Sequence, residues 1–588
     1  MPLSQAALFR RTHLARLNGG QILIDVLQRF GVDAAFTLHG GHLDAAYQAA
    51  RDAGIRVVDT RHEQAAGFAA SAYARSSGRV GVVMITAGGG ITNVVSPVAN
   101  ALADCVPLVV IGGAAALQDI DALPVNGGVD QMAVMRAVTK WAVQVPHINR
   151  LADLLGQAIR KATSGRPGPV YVEVPIDIMF GLIEEAEVRH LDGRAVPMRP
   201  APSAQAVTRI VELLRGAERP VILAGGGTLY ADCAKELRAF VERSGIPVLT
   251  NAKSRGILPT DHPLWGRGYA TLAPARAQGL VPDLLLVLGA RFGIYTGGRR
   301  KSFLPPEARI VQVDIEPGDI GRIREVDLAV AADCGETLKA LLEATAQRPL
   351  PDTRAWAERL CAVGAASKQN FVAIAAAESG PVHPYRLAAA VAQVLPRDAV
   401  VCLDGGESHS WIDMTAHSEA PGRWLGHGYV GSMGEGLPLA VGAQIANPGR
   451  RVVCFTGDGS VGFNFAEFDT FVRHGLPVVV VVNNDQMWGM SAHGQDLMYG
   501  EGKRMVSELG RTRYDRAAAG FGCHAEFVED VADLDAALER ALASNKPACV
   551  NVMTDPGVMH PITQRFVGRM AEGDPTRNFV PYADDLEA

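Results

Sequence analysis

At 588 residues the chain is long enough for about three domains and a large core. Its 48% apolar and 20% charged content excludes a disordered chain, and a net charge of −6, from 56 basic and 62 acidic residues, argues against a nucleic-acid polyanion as partner. Eight scattered cysteines with no CxxC pair exclude a disulfide framework and point to reduced thiols in the cytoplasm, and no apolar run approaches membrane-spanning length.

Residues 1–18 carry Arg10, Arg11 and Arg16 and no acid. They lack a signal-peptide apolar core and read as a frayed N-terminal arm. From residue 19 to 185 helix and strand alternate. A helix over 21–30 is closed by Gly31, and a strand over 35–38 ends in His39-Gly40-Gly41-His42. A strand over 56–58 leads to Thr60-Arg61-His62-Glu63 and an Ala-rich helix over 64–76. A strand over 80–86 ends in Ala87-Gly88-Gly89-Gly90, and buried strands follow at 108–111 and 170–174. This alternation predicts a parallel sheet with helices on both faces, whose ligands sit off the carboxyl ends of the strands. His39, His42, Glu63 and Gly88 to Gly90 all fall at such ends. Alone, Glu63 reads as a carboxylate favoured by a helix N-terminus. The HxxH pair lacks a third metal ligand and reads either as backbone-bonded loop histidines or as proton donors and acceptors near neutral pH.

Residues 186–203 form a linker with Pro197, Pro200 and Pro202, and a second α/β unit spans 204–346. Its strand over 220–224 runs into Gly225-Gly226-Gly227, the strand over 284–288 into Gly289-Ala290-Arg291, and the strand over 310–313 ends at Asp314. Glycine turns followed by an acid at a strand end suit FAD or another adenine nucleotide; a retained scaffold without ligand is the equal alternative.

A second linker over 347–380 precedes a third unit over 381–562 and a tail over 563–588. A helix over 383–394 and a strand over 400–403 lead to Asp404-Gly405-Gly406-Glu407-Ser408, a turn suited to phosphate oxygens. A strand over 452–455 ends at Thr456-Gly457-Asp458-Gly459-Ser460, and a helix is predicted over 461–473. A β-branched strand over 478–482 breaks at Asn483-Asn484-Asp485. Neighbouring parallel strands bring Asp458 and Asp485 to one sheet edge. Two carboxylates, a carbonyl and a diphosphate make a typical Mg²⁺ shell.

The spacing of Gly457-Asp458-Gly459 and Asn483-Asn484-Asp485 resembles the cofactor motif of thiamine-diphosphate enzymes. The segments LHGGHLD, DTRHEQAAGFAA, TAGGGITN, GGVDQMAVMRAVTKWA, LGARFG, GHGYVGSMGEG and TGDGSVGFNFAEFDTFVR are similar to benzaldehyde lyase and its relatives among the acetolactate-synthase-like enzymes, over nearly the whole chain beyond residue 18. The resemblance implies an α/β protein of three doubly wound parallel-sheet domains that bind, in order, the aminopyrimidine, a nucleotide or nothing, and the diphosphate. It implies thiamine diphosphate and Mg²⁺ as cofactors, with the metal on Asp458, Asp485 and the Met487 carbonyl; Asn484 competes with Asp485 as second ligand. Glu63 becomes the glutamate that hydrogen-bonds the aminopyrimidine and favours its imino tautomer. His42, beside His39, relays protons to the substrate hydroxyl. Met433 becomes the wedge under the bent cofactor, and the Gly431 carbonyl takes its amino group. Gly405, Glu407, Ser408, Gly457, Gly459, Ser460, Trp488 and Gly489 complete the cofactor cradle.

The pocket departs from that family. Asn126, Ile176, His409 and Met490 stand where benzaldehyde lyase has glutamine, tryptophan, tyrosine and alanine. Met490 and His493 are expected to face the substrate. The expected activity is a lyase or carboligase acting on 2-hydroxy ketones (acyloins) and aldehydes, in a homodimer at least and a homotetramer in full. The alternative is an acetolactate-synthase-like decarboxylating carboligase acting on a 2-keto acid such as pyruvate. A flavin or nicotinamide oxidoreductase leaves Glu63 and the paired acids without a task.

Overall fold

The computed structural model describes residues 16–119, 121–190, 198–298, 304–426 and 428–567. It contains three six-stranded sheets, parallel throughout and flanked by helices. The first is built from Ala34–Leu38, Arg56–Asp59, Gly81–Ile85, Leu108–Ala114, Trp141–Gln144 and Val170–Pro175. The second comprises Pro220–Ala224, Val248–Thr250, Trp265–Gly268, Leu284–Leu288, Arg309–Asp314 and Leu328–Ala331. The third comprises Val400–Leu403, Trp424–Leu425, Val452–Gly457, Val479–Asn484, His524–Val528 and Ala548–Met553. Runs such as LLLVL and VVVVNN are buried along their full length, as strands covered on both faces must be.

In the first and third sheets the spatial order is second, first, third, fourth, sixth, fifth strand; in the second it is third, second, first, fourth, fifth, sixth. Each order reverses beside its first strand, where the connections leave in opposite directions and a crevice opens at the carboxyl ends. These central reversals lie between Ala34–Leu38 and Gly81–Ile85, between Pro220–Ala224 and Leu284–Leu288, and between Val400–Leu403 and Val452–Gly457. The HxxH turn, the Gly88 turn and the turns at 225–227, 289–291, 404–408 and 456–460 all flank these crevices.

The chain forms two compact units, one holding the first sheet with residues 428–432, the other holding the second and third sheets. No helix among the described residues is long and apolar enough to cross a membrane. All eight cysteines are free.

Four expectations change. Of the arm expected over 1–18, residues 1–15 lie outside the described residues, and the last three are a strand: Arg16–Asn18 pairs antiparallel with Leu182–Glu184, and Asn18 caps the helix Gly19–Arg29 through a reciprocal capping box with Gln21. The 347–380 segment is not a plain linker. It holds the helix Arg354–Ala366, whose Trp356, Leu360 and Val363 recur at helical spacing and join the core of the second sheet. The helix over 461–473 is broken. Asp458–Val461 is one turn, residues 462–466 follow as turns, and the helix resumes at Glu467–Arg473; within the break the Asn464 side chain donates to the Gly434 carbonyl at 2.6 Å. The tail over 563–588 begins inside the helix Pro561–Val567; residues 568–588 lie outside the described residues, as do 191–197 of the first linker.

Candidate active site

In the first unit, three strand ends and one helix start converge. Glu63 opens the helix Glu63–Ser77 and is 7% exposed. Its Oε2 accepts a hydrogen bond from Asn93 Nδ2 at 2.9 Å, and its Oε1 lies 3.5 Å from where a Cβ on Gly90 would stand. The carboxylate therefore faces the glycine turn after Gly81–Ile85. His42 sits over the end of Leu108–Ala114, its Cβ 2.6 Å from the position a Gly113 Cβ would take. Its Nδ1 shares a hydrogen bond with Thr86 Oγ1 at 2.9 Å, which leaves Nε2 for another partner. Burial pushes the imidazole pKa down, favouring the neutral ring.

Gln131 braces this group. Its Oε1 accepts from the Gly88 N–H at 2.5 Å, and its Nε2 donates to the Gly113 carbonyl at 3.1 Å and to Glu173 at 2.8 Å. Asn126 lies with its backbone against Gly88, at a φ of +64°. Ile176 begins the short helix after Val170–Pro175. His39 stands apart from His42's contacts. It is largely exposed, with Nε2 at 2.9 Å from Asp44 and its ring beside Tyr47. Gly431 adopts a φ of +67° and lies within residues 428–432 of this unit.

In the second unit, Asp458 and Asp485 are 2% and 8% exposed and hydrogen-bonded to each other. Burial raises both carboxyl pKa values; for Asp458 the charge of Asp485 adds to the rise, and for Asp485 Glu407 adds while the bond to Asp458 opposes. Asp458 Oδ2 is buried with no partner. An orphaned oxygen within a pair of desolvated carboxylates is the arrangement that a divalent cation relieves, so the donor set fits Mg²⁺. No third His, Cys, Asp or Glu joins them among the described residues.

The strand Val479–Asn484 runs two residues further than its β-branched stretch. Asn483 Nδ2 donates to Ser408 Oγ at 3.0 Å. Asn484 Nδ2 donates to the Thr512 carbonyl at 3.1 Å and to Asn551 Oδ1 at 3.0 Å, while its Oδ1 accepts from the Gln486 N–H. The amide of Asn484 is thus engaged away from Asp458. Gln486, at a φ of +65°, turns the chain into Met487, whose N–H donates to Asp485.

Around the two acids the glycines mark close approaches. A Cβ on Gly405 would stand 3.2 Å from Ser460 Oγ, and one on Gly457 3.0 Å from Ser408 Oγ. One on Gly459 would strike the Trp488 ring at 2.6 Å, and one on Gly489 would lie 2.5 Å from Asp485 Oδ2. These turns form a cradle that side chains would fill, which fits a diphosphate lying along backbone N–H groups. Met490 packs on Gly406, and His409 lies beside Gly426. Met433 is half-buried in the bend that precedes Gly434.

Asp404 was missed by sequence reading. Fully buried, it accepts from the N–H groups of Gly405, Gly434 and Gly436, tying the 404–408 turn to the Met433 segment. Burial pushes its pKa up to about 6 against those donors.

Two of the expected site residues engage each other. The Glu407 carboxylate, 3.4 Å from where a Gly489 Cβ would stand, is held by His493 Nδ1 at 3.0 and 3.2 Å and by the Thr563 hydroxyl. His493 is the residue that holds it. It is 3% exposed, and its Nε2 donates to the Pro556 carbonyl at 3.0 Å. Burial alone would lower the His493 pKa, but Glu407 raises it overall.

In the second sheet, the Gly225 N–H donates to the Leu288 carbonyl and the Gly227 N–H to the Gly289 carbonyl, each at 2.9 Å. A Cβ on Gly289 would stand 2.5 Å from the Gly227 Cα. Packing of one turn on the other accounts for these glycines. Asp314 accepts from the Glu316 N–H at 2.9 Å.

An α/β protein with ligand turns at its sheet reversals and a buried acid pair beside a glycine cradle is, by class, an enzyme for a phosphorylated cofactor. Three family models match it. The thiamine pyrophosphate enzyme N-terminal TPP binding domain covers residues 17–134, the central domain 207–341, and the C-terminal TPP binding domain 404–552. An acetolactate synthase large subunit of Mycobacterium tuberculosis is 36% identical over 562 residues, 93% of this chain and 97% of the relative. Acetolactate synthase isozyme 1 large subunit of Escherichia coli is 31% identical over 546 residues, 92% and 94% of the two chains. Human 2-hydroxyacyl-CoA lyase 2 is 33% identical over 552 residues, 86% and 84%. The chain belongs to the family of thiamine-diphosphate-dependent enzymes.

Proposed function

We propose that the protein is a thiamine-diphosphate- and Mg²⁺-dependent C–C bond lyase and carboligase acting on 2-hydroxy ketones and aldehydes. The observation that carries this reading is His42: a largely neutral imidazole at a strand end, fixed by Thr86, with one ring nitrogen left over. A base so held suits a substrate that carries a hydroxyl, because cleavage beside a carbinol carbon requires the hydroxyl proton to leave. A 2-keto acid carries no such proton.

Bound thiamine diphosphate supplies the electron sink for breaking a bond next to a carbonyl. The chain supplies the rest. Asp458, Asp485 and the Met487 carbonyl hold Mg²⁺; the engaged amide of Asn484 argues against it as the second ligand. Gly405, Ser408, Gly457, Gly459 and Ser460 receive the diphosphate, with Trp488 and Gly489 as the outer wall. Met433 and Gly431 serve the aminopyrimidine, and Glu63, oriented by Asn93, exchanges a proton with its ring. His42 takes and returns the substrate hydroxyl proton; His39 has no part, being exposed and paired with Asp44. Asn126, Ile176, His409 and Met490 line the substrate side. Residues 19–185, 204–346 and 381–562 serve as pyrimidine, central and diphosphate domains in a homodimer at least and a homotetramer in full. The mutual packing of the central glycine turns supports a scaffold without FAD.

The second reading is a decarboxylating carboligase acting on pyruvate, which the names of the two bacterial relatives favour; the name of the human relative favours a lyase. His42→Ala separates them. Under the first reading it lowers kcat/KM for acyloin cleavage by about 10²- to 10⁴-fold and removes the acid limb of the pH profile. An equal and small effect on acyloin cleavage and on CO₂ release from pyruvate contradicts it.

Gly489→Ala tests the metal shell. The added methyl stands 2.5 Å from Asp485 Oδ2 and 3.4 Å from Glu407 Oε2. Thiamine diphosphate affinity at fixed Mg²⁺, measured by calorimetric titration, is expected to weaken roughly ten- to a hundredfold.

A further inference from the structure

Within the second unit, away from the acid pair, three cations gather around one carboxylate where the second sheet meets the third. Arg255 follows the turn Ala252–Ser254 and is 6% exposed. Its Nη1 donates to the Asp413 carbonyl at 2.9 Å and to the Asp413 carboxylate, and its Nη2 donates to the Ala416 carbonyl at 2.5 Å. The guanidinium lies 4.0 Å over the Trp424 ring and 5.9 Å from that of Trp265, and its Nε is buried without a partner.

Arg267, in the strand Trp265–Gly268, lies 5.5 Å from the same Trp265 ring. Its stem packs on the helix Arg354–Ala366 at Gly364, where a Cβ would stand 3.3 Å from Arg267 Cδ. Lys368 comes one turn after Gly364. Neither the Arg267 guanidinium nor the Lys368 ammonium has a hydrogen-bond acceptor among the described residues. Arg267 also holds a φ of +72°, a conformation that costs a non-glycine residue energy and persists at sites with a task.

Three positive groups against one acid leave the cluster short of negative charge. The effect is visible on Lys368, whose pKa is pushed down to about 8 by burial first, then by Arg267 and Arg255, with Asp413 opposing. Asp413 is half exposed, so the cluster opens to solvent. Solvated surface cations need no explanation, but half-buried ones gathered beside a buried guanidinium do, and Arg267 shares the Trp265 ring with that guanidinium. Arginine's planar fork and a lysine point charge together match a tetrahedral oxyanion carrying two charges.

We propose that Arg267 and Lys368, with Arg255 as the fixed wall behind them, bind the phosphoryl group of a small molecule at a site separate from the cofactor cradle. The ligand is a free phosphate or the phosphate of a nucleotide. Its binding neutralises the cluster and ties the second sheet to the segment that carries Asp413.

The test uses the full chain saturated with thiamine diphosphate and Mg²⁺, so that the cradle is filled. Lys368 is labelled at pH 8 with limiting acetic anhydride and its modification followed by mass spectrometry, with inorganic phosphate, ADP or succinate present. Phosphate is expected to protect Lys368 saturably, and Arg267→Gln to weaken that protection by about tenfold or more. Calorimetric binding of the same anion is expected to be lost in Lys368→Gln. ADP protecting at lower concentration than phosphate assigns the phosphate to a nucleotide; equal protection assigns it to the free anion. Labelling indifferent to both, with no heat of binding, overturns the proposal, as does equal protection by succinate.

Discussion

Glu63→Gln is expected to lower kcat by about 10³-fold while leaving Mg²⁺-dependent uptake of thiamine diphosphate within a few-fold of wild type. The substitution keeps the shape of a side chain that is 7% exposed and set against Gly90 and Asn93. What it removes is the ability to pass a proton to a ring nitrogen. A structural carboxylate at a helix start would contribute a fraction of a kcal/mol to stability and nothing to turnover. Steady-state rates and a calorimetric titration on the same preparation separate these roles. Unchanged turnover would return Glu63 to the helix and leave the paired acids without a catalytic partner.

Asp458→Asn is expected to abolish the stabilisation that Mg²⁺ and thiamine diphosphate confer, yet to raise the melting temperature of the stripped protein by a few degrees. Two buried carboxylates facing each other repel once both are charged, and the amide removes one charge at nearly constant volume. The sign of the pH dependence follows. Both folded-state pKa values lie above the ordinary aspartate value of 3.8, so over the interval above it the folded protein binds more protons than the unfolded chain. Stability of the stripped protein therefore falls as pH rises through that interval, and saturating Mg²⁺ removes the slope. In Asp458→Asn the slope shrinks without metal. Thermal melts across pH, with and without Mg²⁺, read both effects; a stripped variant less stable than wild type at every pH would contradict them.

Much of the fold was legible because glycine turns and β-branched runs punctuate the strands, and the three crevices follow from that alternation. The acid pair was legible for the same reason: Asp458 and Asp485 each follow a buried strand. The misreadings involve partners distant in sequence. The strand reaches Asn484 because it pairs there with Met553, while Asn551 and the Thr512 carbonyl take its side-chain amide, and none of these is visible locally. Glu407 pairs with His493 and Thr563 because the helix Pro561–Val567 packs behind it. Asp404 looked like one more turn residue until three N–H groups from two segments closed on it. The helix Arg354–Ala366 carried its apolar spacing in plain view, but the prolines and acid before it made it read as a linker. Asn126 was noticed for its identity; its contact with Gly88 depends on a left-handed backbone that composition does not announce.

The central claim is most directly tested by incubating the wild-type protein, loaded with thiamine diphosphate and Mg²⁺, with an acyloin and, in parallel, with pyruvate. Saturable release of aldehydes from the acyloin, dependent on both cofactors, is expected. Release of CO₂ from pyruvate with no cleavage of any acyloin would contradict it.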